Sequence, residues 1–228
     1  MANLYHVLNR GVDGRDIFMD EQDRFRFIHD LYELNDQDVV NTTFHIFSRS
    51  NDLRGRKVVD IEKKPRKLLV DIHAFAMMPN HYHLMLSAKV DGGISKFLNK
   101  LNMGYVKYFN YKNKRKGTLF QGRTKKILIS DESHFVHLPY YIHLNPLDLN
   151  SPEWRERKLV DHKKALIFLE KYRWSSHMDY VGIKNFPSVT NRELLLDYFG
   201  GSEGYKNAIY NWLKNIKEEQ LEEFKSYD

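Results

Sequence analysis

The sequence predicts an α+β protein, an antiparallel sheet with helices packed on one face. Three observations lead there. Runs rich in β-branched and aromatic residues alternate with helically periodic ones in the order strand, helix, hairpin, helix, strand, helix. Residues 68–78 and 81–88 are two extended arms separated only by Pro79-Asn80, a pair suited to a tight turn. From Leu149 onward, helical segments and a charged tail replace the strands, which reads as an appended helical region.

Each element follows from local signals. Leu4–Arg10 is a strand ended by Gly11 and the turn residues Asp13-Gly14. Asp20 is placed to cap a helix of about fifteen residues whose apolar positions Phe25, Ile28, Leu31 and Tyr32 keep helical spacing. Residues 35–66 are polar, with a short strand expected at Thr43–Ser48 inside a long basic excursion. The hairpin comes next, its second arm beginning at His81. Gly92-Gly93 breaks the chain before a helix with a buried stripe of Ile94, Phe97, Leu98, Leu101, Tyr105, Tyr108 and Phe109. That helix should end in the cationic run Lys112–Lys116, closed by Gly117. A strand is expected over Leu119–Ile129, then a shorter helix through Phe135–Leu144, interrupted by Pro139 and stopped by Pro146.

A chain of 228 residues can bury one full core, or one core with a small appended subdomain. Cysteine is absent, which excludes disulfides and thiolate metal sites and suits a reducing cytoplasm. No apolar run approaches membrane-span length and the N-terminus lacks a signal pattern, so a soluble cytoplasmic protein with no membrane partner is expected. The net charge of +6 is unevenly spread: residues 51–130 carry 18 Lys and Arg against 5 Asp and Glu, and the rest carries 18 against 25. A basic middle on an otherwise acidic chain suits a polyanion, although a single charge run is more often only a solvated face.

The chemistry concentrates in Met78-Pro79-Asn80-His81-Tyr82-His83-Leu84. Strand alternation puts His81 and His83 on one face and Tyr82 on the other. Two imidazoles on a stiff scaffold can bind a divalent cation. With eleven histidines in the chain, however, such a pair also arises by chance as two solvent-facing strand residues. The second segment is Tyr141-Ile142-His143-Leu144-Asn145-Pro146, where Tyr141 and Asn145 share a helix face four residues apart. A phenol is a competent nucleophile toward a phosphodiester whose phosphate a metal polarises, and the asparagine can add an oxygen ligand. Mg²⁺ or Mn²⁺ suits mixed imidazole and carbonyl ligation.

These two segments together resemble the single-tyrosine HUH transposases of the small insertion-sequence type, and most of all their REP-associated branch. Tyr5–Gly11, Phe18 with Asp23, Tyr105–Asn110, Gly117–Arg123 and Trp174-Ser175-Ser176 extend the resemblance, in order, over residues 4–180. It implies a ferredoxin-like sheet forming an HUH nuclease domain at 1–150 and a helical C-terminal extension at 151–228. It further implies an enzyme that cuts single-stranded DNA beside hairpins through a 5′-phosphotyrosine and rejoins strands by the reverse attack. His81, His83 and Asn145 would hold the metal and Tyr141 would be the nucleophile. Single-stranded or hairpin DNA would be the partner, the protein being nucleoid-associated when bound and acting as a monomer or homodimer. Arg10, Lys112, Lys114, Arg115, Lys116, Arg123, Lys125 and Lys126 are candidate DNA contacts.

Three departures from the pattern stand out. Tyr82 replaces a smaller aliphatic residue, Pro139 lies two residues before the nucleophile, and the basic stretch at 49–67 is longer than usual. Bland readings also compete. Asn145 can simply cap its helix, His143 can be core or a DNA contact, and His6 is as well suited to anchoring its strand as to touching DNA. Tyr140 should face about 100° away from Tyr141. Tyr105 and Tyr108 belong to a core stripe or a DNA-stacking surface, and Trp174 to the core. Two other functions fit the residues: a catalytically silent hairpin-binding protein of the same fold, and a metallohydrolase that attacks with metal-activated water.

Overall fold

The computed structural model describes residues 3–38, 66–216 and 221. The strand expected at Thr43–Ser48, and all of the 49–67 excursion except Arg66 and Lys67, lie outside the described residues. Four strands, β1 (Leu4–Arg10), β2 (Val70–Met78), β3 (His81–Ala88) and β4 (Lys125–Leu128), form one sheet in the order β2-β3-β1-β4. Every neighbouring pair is antiparallel. With helix α1 (Glu21–Glu33) between β1 and β2, and α2 (Gly93–Lys112) between β3 and β4, this is the ferredoxin-like order of elements.

Helices cover both faces of this sheet, not one. On the first face, α1 and α2 pack against Val7, Val70, Ile72, Phe75, Met77, Tyr82, Leu84 and Leu86. The fully buried rings of Phe27, Phe97, Tyr105 and Tyr82 form its centre, each worth roughly 1.5–3 kcal/mol of burial. Tyr82 therefore points into the core, and its hydroxyl donates to Asn102 Oδ1 at 2.8 Å. The larger side chain is absorbed without disturbing the alternation of β3.

The second face carries Ala74, Ala76 and Met85 beneath α3 (Glu132–Leu144) and the C-terminal elements α4 (His162–Leu169), α5 (His177–Tyr180), α6 (Glu193–Phe199) and α7 (Gly201–Asn215). Trp154, Leu169, Tyr180, Leu195, Tyr205 and Ile209 fill this second core. Trp174-Ser175-Ser176 lies along the exposed edge of β2: Met77 N–H donates to the Trp174 carbonyl at 2.9 Å and Ser176 N–H to that of Phe75 at 3.0 Å. The segment thus supplies the edge partner that an outer strand otherwise lacks.

Several boundaries differ from expectation. α2 is capped at Asn113, whose N–H returns to the Phe109 carbonyl, so the basic run beyond it is a turn and not a helix end closed by Gly117. β4 is four residues long because the chain from Leu119 first crosses as a single bridge, Gly11 to Phe120. α3 starts three residues early, at Glu132, where Asp131 accepts the His134 N–H at 2.8 Å. It also runs through Pro139 unbroken. Proline forfeits one hydrogen bond there, but fully buried Leu138, Tyr141, Ile142 and Leu144 hold the helical register. Among the described residues no helix is long and apolar enough to cross a membrane.

Candidate functional site

The site forms on the second face, where the start of β3 meets the end of α3. The turn before His81 is clamped: Gly11 N–H donates to the Asn80 carbonyl at 2.8 Å, and the Ile17 and Phe18 N–H groups both donate to the Pro79 carbonyl at 2.8 and 3.0 Å. A Cβ on Gly11 would stand 2.2 Å from the Arg15 carbonyl, so only glycine permits this close approach. The turn in turn orients its own histidine. Asn80 Nδ2 donates to the Gly14 carbonyl, which leaves Asn80 Oδ1 to accept a proton from His81 Nδ1 at 2.6 Å. His81 is thereby held with its proton on Nδ1 and a lone pair on Nε2.

His83 lies deeper, fully buried, with its ring edge-on to that of His81 at 4.9 Å. Its Nδ1 is 3.0 Å from His6 Nε2, and its Nε2 faces the Asn145 amide nitrogen at 3.5 Å. Burial holds His83 well below its ordinary pKa and brings His6 down to about 3, so both rings are neutral near pH 7. The fully buried ring of Tyr141 stands edge-on to His83 at 5.1 Å and to His6 at 5.8 Å. His81, His83, Tyr141 and Asn145 are therefore brought together. Asn145 is also the C-cap of α3, but through its backbone N–H, which bonds the Tyr141 carbonyl; its side chain turns to the histidines.

The rivals go elsewhere. Tyr140 stacks on Trp212 at 5.2 Å. Tyr105 is core, and Tyr108 donates to Asp23 Oδ1. His143 is fully buried between Ser176 Oγ and the Tyr205 hydroxyl, at 2.7 and 2.8 Å. His6 cannot reach DNA from the protein interior, and Trp174 is core.

The basic residues divide in the same way. Cross-strand register puts Arg10 opposite His81 and Lys125 opposite Leu8 on the histidine face, while Lys126 points to the α2 face, where it donates to Ser95 Oγ. Arg10, Arg123 and Lys125, with Leu8, Asn9 and Gln121, line a groove of ≈310 Å³ at this edge of the sheet. Lys112 is engaged by Asp20 and by the buried carboxylate of Asp23, both at 2.7 Å. Arg115 folds back onto Asn110 Oδ1 and the Thr118 carbonyl. Lys114 and Lys116 are exposed on the turn.

Arg155 escaped the sequence reading. Its guanidinium is gripped by Asp148 through Nε at 2.7 Å and a second nitrogen at 2.8 Å, and it stands 5.8 Å over the Tyr141 ring. Nothing in the spacing of Asp148 and Arg155 announces this, because two successive 3-10 turns, Asn145–Leu149 and Pro152–Glu156, bring them together.

The donor set fits a hard or borderline divalent cation on one structural ground: Asn145 Oδ1 is buried with no hydrogen-bond partner among the described residues, beside two imidazoles. An orphaned buried carbonyl is costly unless something cationic completes it. Among the described residues no cluster of three or more His, Cys, Asp or Glu side chains has metal-binding geometry, and the donors gathered here are two imidazoles and an amide.

Residues 45–144 match the family described as IS200-like transposases, a stretch containing His81, His83 and Tyr141 and ending one residue short of Asn145. The resemblance to single-tyrosine transposases carried by the motifs is shown over that stretch. One matching structure is that of a REP-associated tyrosine transposase bound to a REP hairpin, at 14% identity, covering 81% of this chain and 84% of that one with a TM-score of 0.44. No curated protein matches the chain.

Proposed function

We propose that the protein is a metal-dependent transesterase of single-stranded DNA that cleaves near hairpins. The convergence of Tyr141, His81, His83 and Asn145 within one buried cluster carries the proposal. Tyr141 Oη attacks the scissile phosphorus, the bond from phosphorus to the 3′ oxygen breaks, and the phenolic proton ends on the departing 3′-hydroxyl. The strand remains on the enzyme as a 5′-phosphotyrosine, and a 3′-hydroxyl attacking in reverse rejoins it. His81 and His83 through Nε2, with Asn145 through Oδ1, would hold Mg²⁺ or Mn²⁺. When bound, the ion would neutralise the phosphate and favour in-line displacement.

The rest of the site handles an anion without competing for it. Among the described residues no carboxylate joins the two histidines in a metal-holding group, and Arg10 and Lys125 flank them on the sheet. Tyr141 is fully buried, so the strand has to displace its cover. Arg155, half-buried over the ring and steadied by Asp148, offers the incoming phosphate a fixed cation.

The same burial of Tyr141 favours a second reading, a hairpin binder of this fold without cleavage. Labelled single-stranded hairpin DNA incubated with Mn²⁺ or Mg²⁺ and run on a denaturing gel separates the two. A chelator-sensitive covalent band supports the transesterase. Retained binding without cleavage supports the binder, and cleavage without a band supports activated water.

A further inference from the structure

The proposed metal site requires both histidines of β3 to offer Nε2, and the following inference rests on that site. For His81 the neighbouring amide oxygen of Asn80 fixes the proton on Nδ1. For His83 the corresponding partner is another imidazole, which can either donate or accept. We infer that His6 is a positioning residue: its Nε2 accepts the Nδ1 proton of His83, and this holds His83 in the tautomer whose Nε2 lone pair faces Asn145.

The geometry leaves room for one proton in the 3.0 Å contact between His6 Nε2 and His83 Nδ1. If His6 donated it, neutral His83 would carry its own proton on Nε2. With the Asn145 amide as it stands, that N–H would then meet the amide N–H head-on at a nitrogen separation of 3.5 Å, two donors facing each other in a dry interior. If His83 donates, its Nε2 meets the Asn145 N–H with a lone pair. Rotating the Asn145 amide to present Oδ1 then leaves two lone pairs facing one point, as a cation needs.

Strand register makes His6 suited to this work. Leu8 is the residue directly opposite His83, so His6 is its diagonal neighbour on the same face, and the two rings lie edge to edge and nearly coplanar, with centroids 5.2 Å apart and 18° between their planes. That hydrogen bond, lying in the plane of both rings, fixes the plane of His83 as well as its tautomer. Partners of this kind, which set ring orientation from behind the ligand, typically matter about 10–100-fold in metal affinity.

The test reads the proton directly. Long-range proton–nitrogen correlation spectra of ¹⁵N-labelled, metal-free protein at pH 7.5 should show His83 protonated on Nδ1, the tautomer a free histidine disfavours. Mn²⁺ affinity should fall about 10-fold or more in His6→Phe, which keeps an aromatic ring but accepts no proton, and stay within about threefold in His6→Gln, which restores an acceptor. A His83 proton on Nε2, or equal Mn²⁺ affinity in wild type and His6→Phe, overturns the inference. Should His6→Phe not fold, a wild-type His83 proton on Nε2 or a large affinity loss in His6→Gln would each still refute it. Absence of Mn²⁺ binding to the wild type defeats the metal site itself, while the tautomer measurement stands apart.

Discussion

Asn145 places its side-chain nitrogen 3.5 Å from His83 Nε2, although the two residues lie on different elements, one ending α3 and the other opening β3. This contact ties the proposed nucleophile helix to the proposed metal strand, because Tyr141 sits one helical turn before Asn145. Removing either end should separate metal binding from the rest. His83→Ala and Asn145→Ala are expected to weaken Mn²⁺ binding by about 10-fold or more by calorimetry. Hairpin affinity measured in chelator should stay within about twofold, since neither side chain is exposed to contact a phosphate.

Tyr205 bridges the two buried imidazoles of His143 and His177, at 2.8 Å to each. Tyr205→Phe should cost about 2–4 kcal/mol by leaving buried polar groups unpaired. Urea unfolding checks this, and a change below about 0.5 kcal/mol would mean the network contributes little.

The same pair predicts acid sensitivity. Burial draws His177 from 6.5 down to about 3 and His143 well below 6.5. The unfolded chain therefore takes up a proton on each ring as pH falls through about 6.5, while the folded protein does not. Their contribution is full above that value and lost below it, at about 1.4 kcal/mol per pH unit per ring. Stability followed by urea titration should decline steeply from pH 6.5 to 5, and a flat profile over that interval would contradict the assignment.

Lys112 and the pair Arg123 and Lys125 should behave differently although all are basic. Lys112 compensates the buried carboxylate of Asp23, so Lys112→Met should cost about 1–3 kcal/mol of stability, less than a fully buried pair because the lysine is partly exposed. The salt dependence of DNA binding should not change. Arg123→Ala and Lys125→Ala should instead leave stability intact and each reduce the slope of log affinity against log salt by about 0.7.

The sequence announced a good part of this. The His81/His83 face, the opposed Tyr82, the Pro79-Asn80 hairpin and the Tyr141–Asn145 helix face follow from periods of two and 3.6, which are local properties. The second layer of helices did not show, because α3 is apolar almost all round and its pattern does not say which sheet face it covers. The contact of His6 with His83, as distinct from the DNA contact or strand anchor its sequence suggests, and the place of Arg155 over Tyr141 were not legible for another reason. One depends on diagonal strand register and the other on two successive 3-10 turns, and neither leaves a repeat in the sequence. The pairing of Lys112 was not legible either, because its partners, Asp20 and Asp23, are some ninety residues away.

The most direct measurement locates the covalent link. Wild-type protein incubated with hairpin-bearing single-stranded DNA and Mn²⁺ would be digested with nuclease and trypsin, and the peptide spanning residues 127–155 sequenced by mass spectrometry. A nucleotide mass on Tyr141, absent with chelator and in Tyr141→Phe, is the expected result. The same mass on Tyr140 or another residue, or cleaved DNA with an unmodified peptide, would contradict Tyr141 as the nucleophile.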